Sequence, residues 1–187
     1  MKSHLRLKAK NNRAEINSKI GQNCISLSHI NECLNIILHN KKNMKTVGLY
    51  YPMLDEISPL SFISYFNLKH FELTLPFVRV NSRSMLFKSW NIKENLIKGS
   101  LGNLEPHSNK ANFLPELLIV PMLIFDKNLN RLGYGGGYYD RLIERLSKKK
   151  NIIKIGLAFS IQEIDKVPIN MYDQKLDYIV TNKHIIK

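Results

Sequence analysis

The sequence predicts an α/β fold in which helices flank a largely parallel sheet, and two observations carry that prediction. "ELLIVPMLIF" at 116–125 is a nearly continuous apolar run, the mark of a central strand covered on both faces. Helical and strand periodicities also alternate along the chain, as they do when strands are joined by crossover helices. At 187 residues, with 44% hydrophobic residues and seven prolines, the chain reads as one globular domain, residues 1–187, able to bury a single core.

The elements follow in order. The first forty residues read as two helices. The second of them, "NCISLSHINECLNIIL", carries Ile25, Leu27, Ile30, Leu34, Ile37 and Leu38 at helical spacing. "KTVGLYYP" is a short strand ended by Pro52. "SPLSFISYF" opens a helix, with Ser58 as N-cap and Pro59 at the first helical position. Residues 71–90 read as strands broken around Pro76, "SMLFKSW" being the clearer, with Met85, Phe87 and Trp90 on one face of it. Tyr139, Leu142, Ile143 and Leu146 mark a helix starting near Tyr138, and "IIKIGLAF" and "LDYIVTN" are the last strands.

Charge is the extreme feature of the composition. Lys and Arg number 28 against 15 Asp and Glu, a formal net charge of +13. Such a balance implies anionic partners: nucleic acid, a membrane surface or polyanionic small molecules. Lysines such as Lys148, Lys149 and Lys150 read equally as solvated surface. The longest apolar run, nine residues at 117–125, falls short of the roughly 20 that a membrane helix needs. "MKSHLRLKAKNNR" is basic and lacks the apolar stretch of a secretory signal. Cys24 and Cys33, placed in the second helix without metal-ligand spacing, read as idle thiols in a reducing cytoplasm. The six histidines show no metal spacing and take no role.

"RLGYGGGYYDR", 131–141, spends four of the chain's nine glycines within five positions. Glycine loses more conformational entropy on folding than any other residue, so the cluster has a local cause: a sharp turn or a close approach to the backbone. It follows the central strand and the turn "DKNLNR" and precedes a helix. Open α/β sheets bind ligands beyond the carboxyl ends of their strands, and a helix N-terminus there suits phosphate. Neither standard phosphate pattern fits, because no Gly-Lys-Ser/Thr follows and the sixth position from Gly133 is Tyr138. Composition alone leaves a phosphate loop and a structural turn both open.

The longer string is more specific. "VPMLIFDKNLNRLGYGGGYYDRLIERL" resembles the signature of the 5-formyltetrahydrofolate cyclo-ligase (methenyltetrahydrofolate synthetase) family, in which an apolar strand ending Phe-Asp leads through a glycine loop and Tyr-Tyr-Asp into a helix. "KSHLR", "YYPMLDEIS", "NLEP" and "IGLAFSIQEIDKVPINMYDQKLDYIVT" are similar to further family landmarks, in the right order. The resemblance implies a three-layer sandwich around a largely parallel, Rossmann-like sheet. It also implies a reaction, ring closure of 5-formyltetrahydrofolate to 5,10-methenyltetrahydrofolate with ATP as co-substrate and Mg²⁺, releasing ADP and phosphate. The formyl oxygen is phosphorylated first, nitrogen-10 then attacks, and phosphate departs. Such phosphoryl transfer rests on positioning and charge neutralisation, so no nucleophile constellation is needed. The implied partners are small anions, reduced folate and ATP, acting on a monomer with neither nucleic acid nor membrane.

Residue by residue, the resemblance assigns Lys2 and Arg6 to ATP, and four-residue spacing puts them on one helix face. It assigns Arg131, Leu132, Gly133, Tyr134, Gly135, Gly136, Gly137, Tyr138 and Tyr139 to the nucleotide loop. No catalytic residue is named beyond transition-state positioning by Arg131, Tyr134, Gly135, Gly136 and Gly137. Tyr134 through Tyr138 also match folate-touching positions, Glu56 matches the pterin-contacting acid, and Tyr51 would pack beside it. Asp140 and Asp173 match metal-binding acids, with Asp177 the competitor; by spacing alone Asp140 is a helix-first-turn acid. Met85, Phe87 and Trp90 read as core, with a folate wall as the alternative.

Three positions depart from the family pattern. Met122 and Ile124 are bulky where small residues are usual, and Tyr172 stands where histidine is common before the aspartate. Two rival readings are a basic nucleic-acid-binding module with Tyr138, Tyr139 and Arg141 as stacking platform, and a family member that binds its ligands without this reaction.

Overall fold

The computed structural model describes every residue except Met1, Gln22, Asn23, Asn40, Lys42, Leu54, Val80 and Ser82. Two helices, α1 (Lys2–Ile20) and α2 (Leu27–Leu38), precede strand β1 (Thr46–Gly48). A 3-10 turn at Pro59–Phe62 runs into α3 (Ile63–Leu68), followed by β2 (Glu72–Arg79), β3 (Ser84–Ser89), β4 (Ile97–Lys98), β5 (Leu104–Glu105) and β6 (Asn112–Phe113). Then come β7 (Leu117–Pro121), β8 (Ile124–Phe125), β9 (Arg131–Leu132), α4 (Tyr138–Ser147), β10 (Ile153–Ala158), β11 (Tyr178–Thr181) and β12 (Ile185–Ile186).

Eight strands form one sheet in the order β12-β11-β10-β7-β1-β2-β3-β6. The stretch from β11 to β2 is parallel, and antiparallel strands close both edges. β7 lies between β10 and β1, so the apolar run is central as its composition requires. Side chains alternate across a strand, and this alternation divides the core in two. Leu117 and Ile119 join Val47, Ile155 and Val180 under α2 and α3, through Ile30, Leu34, Phe62 and Phe66. Leu118 and Val120 join Phe87 and Ile179 under α4, through Leu142, Ile143 and Leu146. The sheet is therefore covered by helices on both faces, as expected.

Helix α1 touches the α2–α3 core through Ile16. Its Ala9 packs with Leu123, Ile124, Leu132 and Val167, residues beyond the carboxyl ends of the parallel strands. An otherwise polar helix thus lies across the end of the sheet where ligands bind in such folds.

Several local expectations change. Pro76 does not break a strand: β2 runs unbroken from Glu72 to Arg79, and Pro76 pairs with Phe87. The Leu49 N–H donates to the Thr74 carbonyl, so the even-numbered residues of β2 turn their backbone toward β1. β1 ends at Gly48, opposite Thr74, so the missing N–H of Pro76 costs no ladder bond. Trp90 lies one residue past β3 and on the opposite face from Met85 and Phe87, packing in the α2–α3 core rather than the α4 core. Cys24 precedes α2, whose N-cap is Ser26, and only Cys33 lies within the helix. β7 stops at Pro121 and the run continues as β8, hairpinned to β9, while a short β12 follows the expected last strand. Ser58 caps as expected, its Oγ accepting the Leu60 N–H at 3.3 Å.

The bulky Met122 is accommodated from below. A Cβ on Gly156 would lie 2.2 Å from Met122 Cε, so glycine there is the space the methionine fills. Ile124 packs in the small cluster that includes Ala9.

Candidate functional site

The glycine loop leaves β9 and turns sharply into α4. Gly135 has φ +106° and Gly137, the N-cap of α4, has φ +64°, both backbone states that disfavour a side chain. A Cβ on Gly135 would stand 3.3 Å from the Arg6 guanidinium carbon, and one on Gly137 2.7 Å from Arg141 NH1. The cluster is thus both a turn and a place of close approach. Arg6 Nε donates to the Gly133 carbonyl at 2.9 Å, which ties α1 to the loop. Lys2, one turn earlier, reaches Asp173 Oδ2 at 2.6 Å.

The two acids implied for metal lie at the same corner, each paired with a base. Arg131 NH2 donates to Asp140 Oδ1 at 2.7 Å, and the Gln174 N–H reaches the same oxygen at 3.1 Å. Arg131 also donates from NH1 to the Gln174 carbonyl. Asp173 Oδ2 accepts from Lys2 and, at 2.7 Å, from the Asn170 N–H. Burial pulls the Arg131 guanidinium below its ordinary pKa, while Asp140, Tyr139 and Asp173 push the other way. An arginine stays charged through such changes. Asp177 turns elsewhere, accepting the Lys154 N–H at 2.8 Å at the start of β10. Among the described residues no group of three or more His, Cys, Asp and Glu could hold a metal, so any ion here would rest on the two aspartates and on its ligand's own oxygens.

Glu56, which as a residue type could be a surface acid, is buried to 4% exposure. It accepts the Tyr134 hydroxyl on Oε1 and the Met53 N–H, at 2.9 Å, on Oε2. Burial raises its carboxyl above the ordinary range, with Tyr134, the Met53 N–H and Arg13 opposing and Asp55 adding to the rise. Tyr51 sits edge-on to Trp90 with ring centres 6.4 Å apart. The Tyr139 hydroxyl is enclosed without a hydrogen-bond partner among the described residues. Burial first, then the Glu56 charge, drives that phenol well above its ordinary pKa. The Tyr138 ring carries the Arg141 guanidinium at 5.1 Å, and Arg141 also donates to the Gly136 and Arg83 carbonyls. Tyr138 and Arg141 are therefore engaged with each other rather than free as a stacking platform.

Sequence reasoning missed Arg13 and Lys10. Arg13 is buried, with its guanidinium 5.4 Å from the Tyr134 ring centre and its NH1 3.9 Å from Glu56; Lys10 stands 5.6 Å from the same ring. Lys2, Arg6 and Arg13 recur at intervals of four and seven along α1, a one-face helical spacing that the sequence does carry.

Fold and site together define a mostly parallel α/β protein with its polar cluster gathered at the carboxyl end of a doubly covered sheet. A sequence profile of the 5-formyltetrahydrofolate cyclo-ligase family matches residues 1–182. The 5-formyltetrahydrofolate cyclo-ligase of Haemophilus influenzae is 30% identical over 148 residues, 76% of this chain and 78% of that protein. That of Mycoplasma genitalium is 30% identical over 176 residues, 91% of each chain. In structure, the 5,10-methenyltetrahydrofolate synthetase of Aquifex aeolicus superposes with a TM-score of 0.73 at 30% identity, covering 98% of this chain and 91% of that one. The chain belongs to the 5-formyltetrahydrofolate cyclo-ligase family.

Proposed function

We propose that residues 1–187 act as one domain that closes 5-formyltetrahydrofolate to 5,10-methenyltetrahydrofolate at the expense of ATP, releasing ADP and phosphate. The chain is then an enzyme of the ligase class whose substrates are reduced folate and ATP. One observation carries the reading: Tyr134 of the glycine loop donates its hydroxyl to Glu56, the acid assigned to the pterin. The groups assigned to phosphate and to folate therefore meet within a single hydrogen bond. Transfer of the γ-phosphate to the formyl oxygen needs that juxtaposition, because positioning and charge neutralisation supply most of the catalysis.

Glu56 accepts hydrogen bonds from the amino-pyrimidine edge and fixes the ring, with Tyr51 beside it. The backbone N–H groups of Gly135, Gly136 and Gly137 close on the phosphates at the start of α4, and Lys2, Arg6 and Arg131 neutralise them. Leu132, Gly133, Tyr138 and Tyr139 complete the loop. Phosphorylation turns the formyl oxygen into a leaving group, nitrogen-10 attacks the carbon and loses its proton, and the oxygen departs on phosphate.

The donors fit Mg²⁺. Asp140 uses Oδ1 and Asp173 uses Oδ2 for the protein contacts described, so each carboxylate keeps a second oxygen for a cation. Two carboxylates suit an ion that retains waters and binds phosphate oxygens. When bound, the ion supplies positive charge to the triphosphate.

The free thiols Cys24 and Cys33 suit a reducing cytoplasm. Among the described residues no helix is long and apolar enough to cross a membrane. The test is the near-ultraviolet absorbance of methenyltetrahydrofolate after protein is mixed with 5-formyltetrahydrofolate and Mg²⁺. A rise that requires ATP is expected. No rise from folded protein would overturn the reading in favour of a binder that lacks the reaction.

A further inference from the structure

We propose that Arg13 is a positioning residue for folate: it keeps the Glu56 carboxylate and the Tyr134 ring in register, and so sets how tightly the pterin is held. The inference deepens the cyclo-ligase reading and rests on it.

Arg13 is 4% exposed, and burying a guanidinium carries a large desolvation penalty unless its donors are well paired. Here the pairing is loose. NH1 lies 3.5 Å from the Met122 carbonyl and 3.9 Å from Glu56 Oε1, NH2 lies 3.8 Å from Asp55 Oδ2, and Nε has no partner among the described residues. An arginine kept for stability alone would be better paired, since an apolar side chain in such a place is often as stable or more so. What this guanidinium does instead is stand near two acids and over the ring of the tyrosine that bonds one of them. It also continues the basic stripe of α1, two turns beyond Arg6, so one helix serves both halves of the site.

The groups facing Glu56 explain why a cation is needed there. Asp55 precedes it in the chain, Tyr50 faces it from the end of β1, and Tyr134 and Tyr139 face it from the glycine loop and α4. Arg13 is the cation acting on Glu56 among these neighbours, with Lys10 placed on the Tyr134 ring. Without Arg13 the buried carboxylate takes a proton more readily, and a protonated Glu56 offers the pterin edge one acceptor fewer. Removing Asp55 acts in the opposite direction.

The experiment uses the full chain with Arg13→Gln, Arg13→Lys and Asp55→Asn, measuring ATP-dependent methenyltetrahydrofolate formation across pH alongside thermal unfolding. Arg13→Gln is expected to raise KM for 5-formyltetrahydrofolate about tenfold while leaving KM for ATP within about twofold, and to move the acid limb of kcat/KM for folate up by about one pH unit. Arg13→Lys restores most of both effects, and Asp55→Asn moves the limb down. Folded variants whose acid limbs stay at the wild-type position, or in which the two KM values rise together, would refute a role through Glu56 and leave Arg13 a packing residue. Asp55 is partly exposed, so its variant decides the matter if Arg13→Gln does not fold. Wild-type protein that forms no product would sink the cyclo-ligase reading itself, an outcome distinct from active wild type with unmoved limbs.

Discussion

Asp126, in the turn before the glycine loop, gives a sharp test of how that loop is held. It is fully buried, and N–H groups reach both of its oxygens. Asn128 and Asn130 donate backbone N–H groups to Oδ1 at 3.0 and 3.1 Å, and the Val167 N–H reaches Oδ2 at 2.9 Å. The turn they close contains Leu129 at φ +65°, a left-handed state that costs a non-glycine residue about 1–2 kcal/mol. Asp126→Ala orphans three buried donors, the backbone N–H groups of Asn130 and Val167 and the Asn130 side-chain amide, at about 1 kcal/mol or more each, a loss of roughly 3 kcal/mol. For a chain of this size that lowers Tm by roughly 6–12 °C. Asp126→Asn cannot rescue it fully: donors face both oxygens, so its amide NH₂ must meet an N–H in either orientation.

The pH dependence is a second check on Asp126. Burial raises the carboxyl, but the Val167 N–H and the Asn130 and Asn128 donors outweigh it and hold the group below its ordinary value. A depressed carboxyl stabilises above its unfolded pKa of about 4 and loses that contribution as pH falls through the folded value. The gap in unfolding free energy between wild type and Asp126→Ala, followed by thermal or urea denaturation, should be full at pH 7 and shrink below about pH 4. A variant within 2 °C or so of wild-type Tm at neutral pH, or a gap that ignores pH, would refute the reasoning.

Two further predictions concern packing and charge. Gly156→Ala places a Cβ 2.2 Å from Met122 Cε and 2.6 Å from Leu176 Cδ1, and should cost about 1–3 kcal/mol by overpacking. Combined with Met122→Ala the loss should fall well short of the sum of the two single changes; strict additivity in urea melts would show that the two sites do not share space. Lys2→Ala breaks a 2.6 Å bridge between side chains 25% and 23% exposed, so stability should fall by no more than about 1 kcal/mol. Its KM for ATP should rise several-fold in steady-state assays, and an unchanged value would remove Lys2 from the nucleotide site.

What the sequence made legible was local. The central strand, the helix after the glycines, the Ser58 cap and the turn demanded by Gly135 and Gly137 all follow from residues within a few positions of one another. Pro76 was misread because proline disrupts a strand only where its N–H is needed, and that depends on where β1, 28 positions earlier, happens to end. Trp90 was misread for want of a parity count: from Phe87 to Trp90 is an odd step, and an odd step changes faces. Arg13 lay open as a helical spacing, but nothing local sets it apart from the other bases of the first helix. Only the placement of α1 across the end of the sheet buries it.

The pairing of acids with bases is the feature least visible in the sequence and most informative for the site. Lys2 and Asp173 are 171 positions apart, and Arg131 and Asp140 are nine. At this corner three bases, Lys2, Arg6 and Arg131, stand against two acids, so it carries a small positive excess beside the N-terminus of α4. An excess of that size attracts an anion without leaving a cluster of like charges to repel itself before the anion arrives. Under the proposed function, a triphosphate entering with its cation would bring both signs, so the bases would turn from carboxylates to phosphate oxygens while the carboxylates turned to the cation. Neither set is then left unpaired. Such an exchange of partners keeps the desolvation cost of binding low, which a site built from bases alone could not do.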